Sequence, residues 1–206
     1  MLKIKKPRRK KLHYVLTFSS LVLFIGGGYL ATLVFSPVIA PIITTDYISV
    51  DALPAPKQQN NRLVIPKIGV NIPYGENEQS LDRGAQWRHP ERGNPSRGGN
   101  FIIAAHRFTI QPTPQGTIEK SPFFHVDKLA SGDKIIVDYN GKRYAYEVAD
   151  RFDVKPNQTE IEAPSATPKL TLYTCTLSGE SDGRIVLVSK PLGEVALDNK
   201  QRSRVD

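Results

Sequence analysis

The sequence predicts an all-β domain, an antiparallel barrel or sandwich with few short helices, carried behind one N-terminal apolar helix. Three observations predict it. Short β-branched and aromatic runs recur along the chain, separated by Gly, Pro, Asn and Asp. Asn140-Gly141 sits between two such runs, residues 134–139 and 142–148, which is a strong two-residue hairpin signal. Beyond residue 35 only two short stretches read as helix, and no internal repeat or low-complexity tract is present.

The formal net charge of +8 is unevenly spread. Residues 1–11 hold Lys3, Lys5, Lys6, Arg8, Arg9, Lys10 and Lys11 and no acid. Taking these seven from 28 basic residues leaves 21 against 20 acidic ones, so the remainder is close to neutral. No basic face is implied, which argues against nucleic-acid binding. Residues 12–35 contain no Asp, Glu, Lys or Arg. At about 1.5 Å per residue, a helix of that length crosses a bilayer. Positive charge before it predicts a cytoplasmic N-terminus and an outward domain. The rival reading is a cleaved signal peptide, whose apolar region is about 7 to 15 residues long. This one is longer, and the small-residue site Val38-Ile39-Ala40 is followed by Pro41, so an uncleaved anchor is expected.

The remaining elements follow in order. Residues 36–61 turn proline-rich and polar and read as a linker. Residues 62–74 read as two short strands with edge or bend prolines. Residues 78–87 read as a short helix ended near Gly84, and 89–99 as a Gly- and Pro-rich loop. Residues 101–105 form a continuous apolar run, a buried strand with His106 at its exposed end. Residues 107–120 read as a long loop, and Ser121-Pro122 as the N-cap and first position of a short helix. After the hairpin, residues 150–168 read mostly as loop, with room for a short strand at 151–154. Residues 169–174 and 184–189 read as the last two strands, and 193–206 as a polar tail. A core of this size fits one domain.

Chemistry concentrates around the only cysteine. If the last two strands pair antiparallel, Cys175 and Arg184 become neighbours at one rim, with backbones about 5 Å apart. A guanidinium there offers a permanent positive charge to a thiolate or an oxyanion. The plainer reading makes Cys175 a small buried apolar residue and Arg184 a solvated loop charge. One cysteine forms no internal disulfide, and a lone thiol in an oxidising compartment asks for an explanation. A thiol is about 3% ionised at pH 7, so a cysteine enzyme needs a base or a lowered pKa. Of four histidines, His13 lies at the membrane edge, His89 in the glycine-rich loop and His125 in the short helix, which leaves His106 on a strand end. One cysteine and scattered histidines show no metal-ligand spacing.

Thr171-Leu172-Tyr173-Thr174-Cys175, with Arg184 nine residues beyond the cysteine, resembles the signature of sortases, the cysteine transpeptidases of bacterial surfaces. Gly98-Gly99-Asn100-Phe101-Ile102-Ile103-Ala104-Ala105-His106 resembles the family's histidine strand, with Ala105 where many members have glycine. The resemblance covers residues 62–192 and implies an eight-stranded β-barrel. It implies that Cys175 attacks a threonine–glycine bond of an LPxTG-like sorting signal, that His106 protonates the leaving amine, and that Arg184 positions substrate or steadies the oxyanion. Thr174 matches the family's threonine, which implies help in binding the peptide, beside an ordinary role as an inward strand residue. The implied partners are sorting-signal peptides of surface proteins, an amine acceptor on a cell-wall precursor or a pilin-type lysine, and the membrane. No cofactor is implied. The span from Cys175 to Arg184 and the lack of an aspartate-proline-aromatic lid, with only Asp46-Tyr47 near that pattern, resemble class D or E more than class A. A membrane-tethered barrel that binds without chemistry remains the alternative, and in it Cys175 would be dispensable.

Overall fold

The computed structural model describes residues 9–44 and 48–196. Asp46-Tyr47 and most of the expected polar tail lie outside the described residues. The strands are β1 (Arg62–Ile65), β2 (Val70–Gly75), β3 (Ala85–Arg88), β4 (Gly93–Asn94), β5 (Gly98–Ala105), β6 (Lys134–Tyr139), β7 (Lys142–Val154), β8 (Lys169–Thr176) and β9 (Gly179–Glu194). They run in the order β3-β2-β1-β6-β7-β9-β8-β5, and β5 pairs with β3 to close the ring. The result is the expected barrel of eight strands, with the two-residue β4 paired to the start of β5. Closure removes the sheet edges that would otherwise invite pairing with another chain.

The barrel is mixed rather than wholly antiparallel. β2 pairs parallel with β3, and β5 parallel with β8. A parallel pair needs a crossover rather than a tight turn. The short helix α2 (Gln79–Arg83) supplies one between β2 and β3; the β6–β7 hairpin lies within the other. Asn140-Gly141 makes that hairpin's turn as expected, with both residues at positive φ. The loop expected after it is shorter than the sequence indicates, because residues 150–154 continue β7 and pair with β9.

Alternation sorts each strand into an inner and an outer face. On β8 the inward residues Leu170 and Leu172 join Phe101, Ile103, Leu63 and Leu187 in the main core. Trp87 stacks edge-on against Phe101 at 5.5 Å and Tyr139 at 5.7 Å, which ties β3, β5 and β6 together. The expected helix over 78–87 stops at Gly84 for this reason: Trp87 is in β3 and belongs to the core.

The outer face carries a second, smaller cluster. Leu53 packs with Val64 and Ile136, flanked by Ile48 and Val50, so the last part of the expected linker lies against the barrel. Arg143 clamps it there. This fully buried guanidinium donates to Asp138 through Nε and Nη2 at 2.7 and 2.8 Å and to the Pro54 carbonyl at 2.7 Å.

The apolar helix α1 (Arg9–Thr44) runs past residue 35, where the prolines predict an end. Pro37 and Pro41 lack the N–H that would bond the carbonyls of Leu33 and Pro37, four residues earlier. Both carbonyls find other donors: Ser36 Oγ donates to Leu33 O at 2.9 Å, and His125 Nε2 to Pro37 O at 2.8 Å. The helix therefore continues and touches the domain, where the Tyr29 hydroxyl also donates to Pro112 O. Its apolar stretch Leu12–Ile39 is long enough to cross a membrane.

Two local expectations change. The expected loop over 107–120 contains α3 (Pro114–Glu119), capped by Thr113 Oγ1, which accepts from Gly116 N at 3.0 Å. Ser121 caps no helix; its Oγ accepts from Thr109 N at 3.0 Å, and the segment after it makes turns and a single 3-10 turn over Val126–Lys128.

Candidate active site

Cys175 and Arg184 are direct cross-strand partners on β8 and β9. The hairpin between them is tighter than an open loop. Thr176 pairs with Gly179, and the register shift between Cys175 and Thr176 leaves residues 180–183 as an excursion before Arg184 comes back opposite Cys175. Gly179 takes φ of 102°, where a side chain would be strained. Thr176 Oγ1 donates to Asp182 at 2.6 Å and holds the excursion down.

The parallel register between β5 and β8 aligns Ile102 with Thr171 and Ala104 with Tyr173. The pairing ends there, with His106 the first residue after β5 and Cys175 two residues beyond Tyr173 on β8. Two bonds hold that corner. Thr174 Oγ1 donates to the carbonyl of Ala105 at 2.7 Å, and Phe123 N donates to the carbonyl of His106 at 3.1 Å. Thr174 is only 2% exposed. Its side chain points into the barrel and ties β8 to β5, which is the inward strand role named beside the peptide-binding one.

Burial pushes the Cys175 thiol above its ordinary value; the Arg184 charge pulls the other way and the Glu180 carboxylate adds to the rise. The thiol is thus protonated at rest near neutral pH and needs a base beside it to become a nucleophile. Arg184 spends only Nη1 on the protein, donating to the carbonyls of Glu180 at 2.8 Å and Gly183 at 3.1 Å. Among the described residues its Nε and Nη2 have no partner, and both can meet a ligand.

Away from Cys175 the outer faces of β8 and β9 continue side by side. Tyr173 lies opposite Val186 and Thr171 opposite Val188. A cavity of about 300 Å³ sits there, under the loop joining β7 to β8, lined by Phe152, Val154, Ile161, Thr171, Val186 and Val188 among others. Sequence reading missed the loop's anchor, Glu162. A single Glu in a proline-rich loop carries no signal until the strands it faces are known. His89, the reserve histidine, bonds this carboxylate at 3.2 Å, and His125 bonds α1. Among the described residues no group of three His, Cys, Asp or Glu could hold a metal ion.

The family model described as the sortase domain matches residues 63–192. Sortase SrtE1 of Streptomyces coelicolor is 30% identical over 151 residues, covering 64% of this chain and 40% of that protein. Sortase A of Bacillus anthracis is 27% identical over 143 residues, covering 68% of this chain and 63% of that protein. The chain thus spans under two thirds of the length of either relative. A solved Clostridium perfringens sortase D5 transpeptidase superposes with a TM-score of 0.52 at 27% identity, covering 65% of this chain and 79% of that one. The matched domain takes up more than half of the chain and contains the whole Cys175–Arg184 rim, and on that ground the chain belongs to the sortase family.

Proposed function

We propose that this chain is a membrane-anchored cysteine transpeptidase that cleaves an LPxTG-like sorting signal and transfers the protein to an amine. The observation that carries the reading is the cross-strand pairing of Cys175 with Arg184, beside the strand end that bears His106.

In the first half-reaction the Cys175 thiol gives its proton to His106, and Sγ attacks the carbonyl carbon of the threonine–glycine bond. Arg184, with donors free of protein partners, meets the oxyanion that forms. The C–N bond breaks, His106 returns the proton to the leaving amine, and a thioester remains on Cys175. In the second half the acceptor amine attacks the thioester carbon and loses a proton to His106, the C–S bond breaks, and His106 returns that proton to the Cys175 sulfur. Neither half needs a metal or an organic cofactor. Thr174 supports the geometry through Ala105. The acceptor is a cell-wall precursor or a pilin-type lysine, and the class D or E reading rests on the Cys175–Arg184 span.

Residues 12–35 would cross the membrane with the basic N-terminus inside and the barrel outside. The apolar length of α1 supports this.

The test uses the full chain in detergent with an LPxTG peptide and no amine. A mass increase by the acyl fragment on Cys175, absent in Cys175→Ala, is expected. Peptide that binds both proteins equally and stays intact would replace the enzyme with the binding module.

A further inference from the structure

The loop joining β7 to β8 carries one carboxylate that three side chains meet. Glu162 Oε1 accepts from the Tyr173 hydroxyl at 2.5 Å and from Arg88 Nε at 3.3 Å, while Oε2 meets His89 Nε2 at 3.2 Å. Backbone bonds surround it. Arg92 Nη1 donates to Glu162 O at 2.6 Å, and Asn100 Nδ2 donates to the carbonyls of Ile161 and Ala163 at 3.1 and 2.8 Å. Asn100 is itself aimed by Thr171 Oγ1 at 2.7 Å. Four elements thus converge on residues 161–163, at the end of the loop's own 3-10 turn Thr159–Glu162: β3, the 3-10 turn Pro90–Arg92 with His89 at its cap, β5 and β8.

The carboxylate is well sequestered, at 14% side-chain exposure. Burial alone would raise its pKa, but the Tyr173 hydrogen bond, the Arg88 charge and His89 outweigh it and hold the group below the ordinary value. It is therefore ionised at neutral pH. Charge-assisted bonds of this kind are roughly twice as strong as neutral ones.

Its position gives it a use. Tyr173 and Cys175 alternate on the same face of β8, and Ile161, next to Glu162, lines the cavity. We propose that Glu162 is a positioning residue, whose bonds to Tyr173, Arg88 and His89 hold the β7–β8 loop as a preformed wall of the cavity on the outer face of β8, the face that carries Cys175. The proposal rests on the transpeptidase reading for its kinetic consequence and on the geometry alone for its structural one. Preformed, the loop spares the peptide the entropy of ordering it. Release of the carboxylate weakens peptide binding without touching the reacting atoms.

The experiment compares the full chain with Glu162→Gln and with Tyr173→Phe, which removes one hydroxyl and keeps the ring. Amide hydrogen exchange over residues 155–168 reads the loop whether or not the protein turns over. Steady-state kinetics with an LPxTG peptide read the cavity. Expected in Glu162→Gln are faster exchange confined to the loop and a KM raised about fivefold or more, with kcat within about twofold. Tyr173→Phe should show the same pattern at smaller size. Unchanged exchange overturns the anchoring role. Faster exchange with unchanged KM overturns the cavity-wall role, and so does a fall in kcat at constant KM. If the wild type shows no turnover, the transpeptidase reading fails, and the exchange result still decides the anchoring.

Discussion

Two arginines on neighbouring strands of this barrel show what separates structure from function in one side-chain type. Arg143 on β7 is sealed in, with Nε and Nη2 on Asp138 and Nη2 shared with Pro54 O. Arg184 on β9 is half-buried and commits Nη1 alone, to two backbone carbonyls. The first guanidinium joins the expected linker to the barrel; the second leaves Nε and Nη2 without a partner among the described residues. Charge and residue type are the same in both. Both lie on the outer face, opposite the inward Tyr144 and Ile185, and only the partners differ: Arg143 is covered by residues 48–54, whereas Arg184 stands at the open rim beside the β8–β9 turn.

The sharpest way to break this comparison is to remove Arg143. Arg143→Met leaves Asp138 charged and buried, and losing one partner of such a pair costs about 3 to 5 kcal/mol. Urea unfolding should show that loss, while kcat/KM of the folded fraction stays near wild type.

A second test removes the other half of the clamp. A chain beginning at Asn60 loses the Pro54 acceptor and the burial of Leu53, whereas one beginning at Ile48 keeps both. The shorter chain should be less stable by about 2 to 4 kcal/mol, read as the difference between their unfolding midpoints. Equal midpoints would return residues 48–55 to the status of a spacer.

Arg184→Lys should invert the pattern. Lysine keeps the charge and loses the planar fork, so kcat/KM should fall at least about tenfold, about 1.4 kcal/mol of transition-state stabilisation. Tm should stay within about 2 °C. Arg151→Lys on β7 is the matched control, and equal losses in the two would mean a general effect on the sheet.

The smallest expected effect concerns pH. Glu162 has a folded pKa below its ordinary value of 4.5, so its contribution to stability is present above that value and lost as pH falls through the folded one. The Tm gap between wild type and Glu162→Gln should be widest near neutrality and close on acidification. A gap that persists at low pH would trace to packing rather than charge.

Much of the fold was legible because it rests on local signals. Alternation and turn residues mark β1, β2 and the β6–β7 hairpin, and Asn140-Gly141 marks its turn. Less was legible where a distant partner overrides a local rule. Pro37 and Pro41 argue for a helix end, yet Ser36 and a histidine from the domain, His125, supply the missing donors. Residues 150–154 have weak strand character and become strand because β9 is there to pair with. Thr113-Pro114 was a readable cap for α3, hidden by the prolines around it.

The candidate site divides in the same way. The sequence by itself determined the inventory: one thiol, an arginine nine residues on, a histidine ending an apolar strand, and a charged apolar leader. It also determined their alternation, which puts Cys175 on one face of its strand and Thr174 on the other. Only the tertiary structure decided what each faces. Parallel pairing of β5 with β8, across 63 intervening residues from Ala105 to Lys169, makes the strand that ends before His106 a neighbour of the strand that bears Cys175. It turns Thr174 inward onto Ala105 O, and it brings Glu162 to Tyr173. Strand identity follows from side chains close in sequence, whereas strand order depends on which faces can be buried together, and that is settled only when the barrel closes.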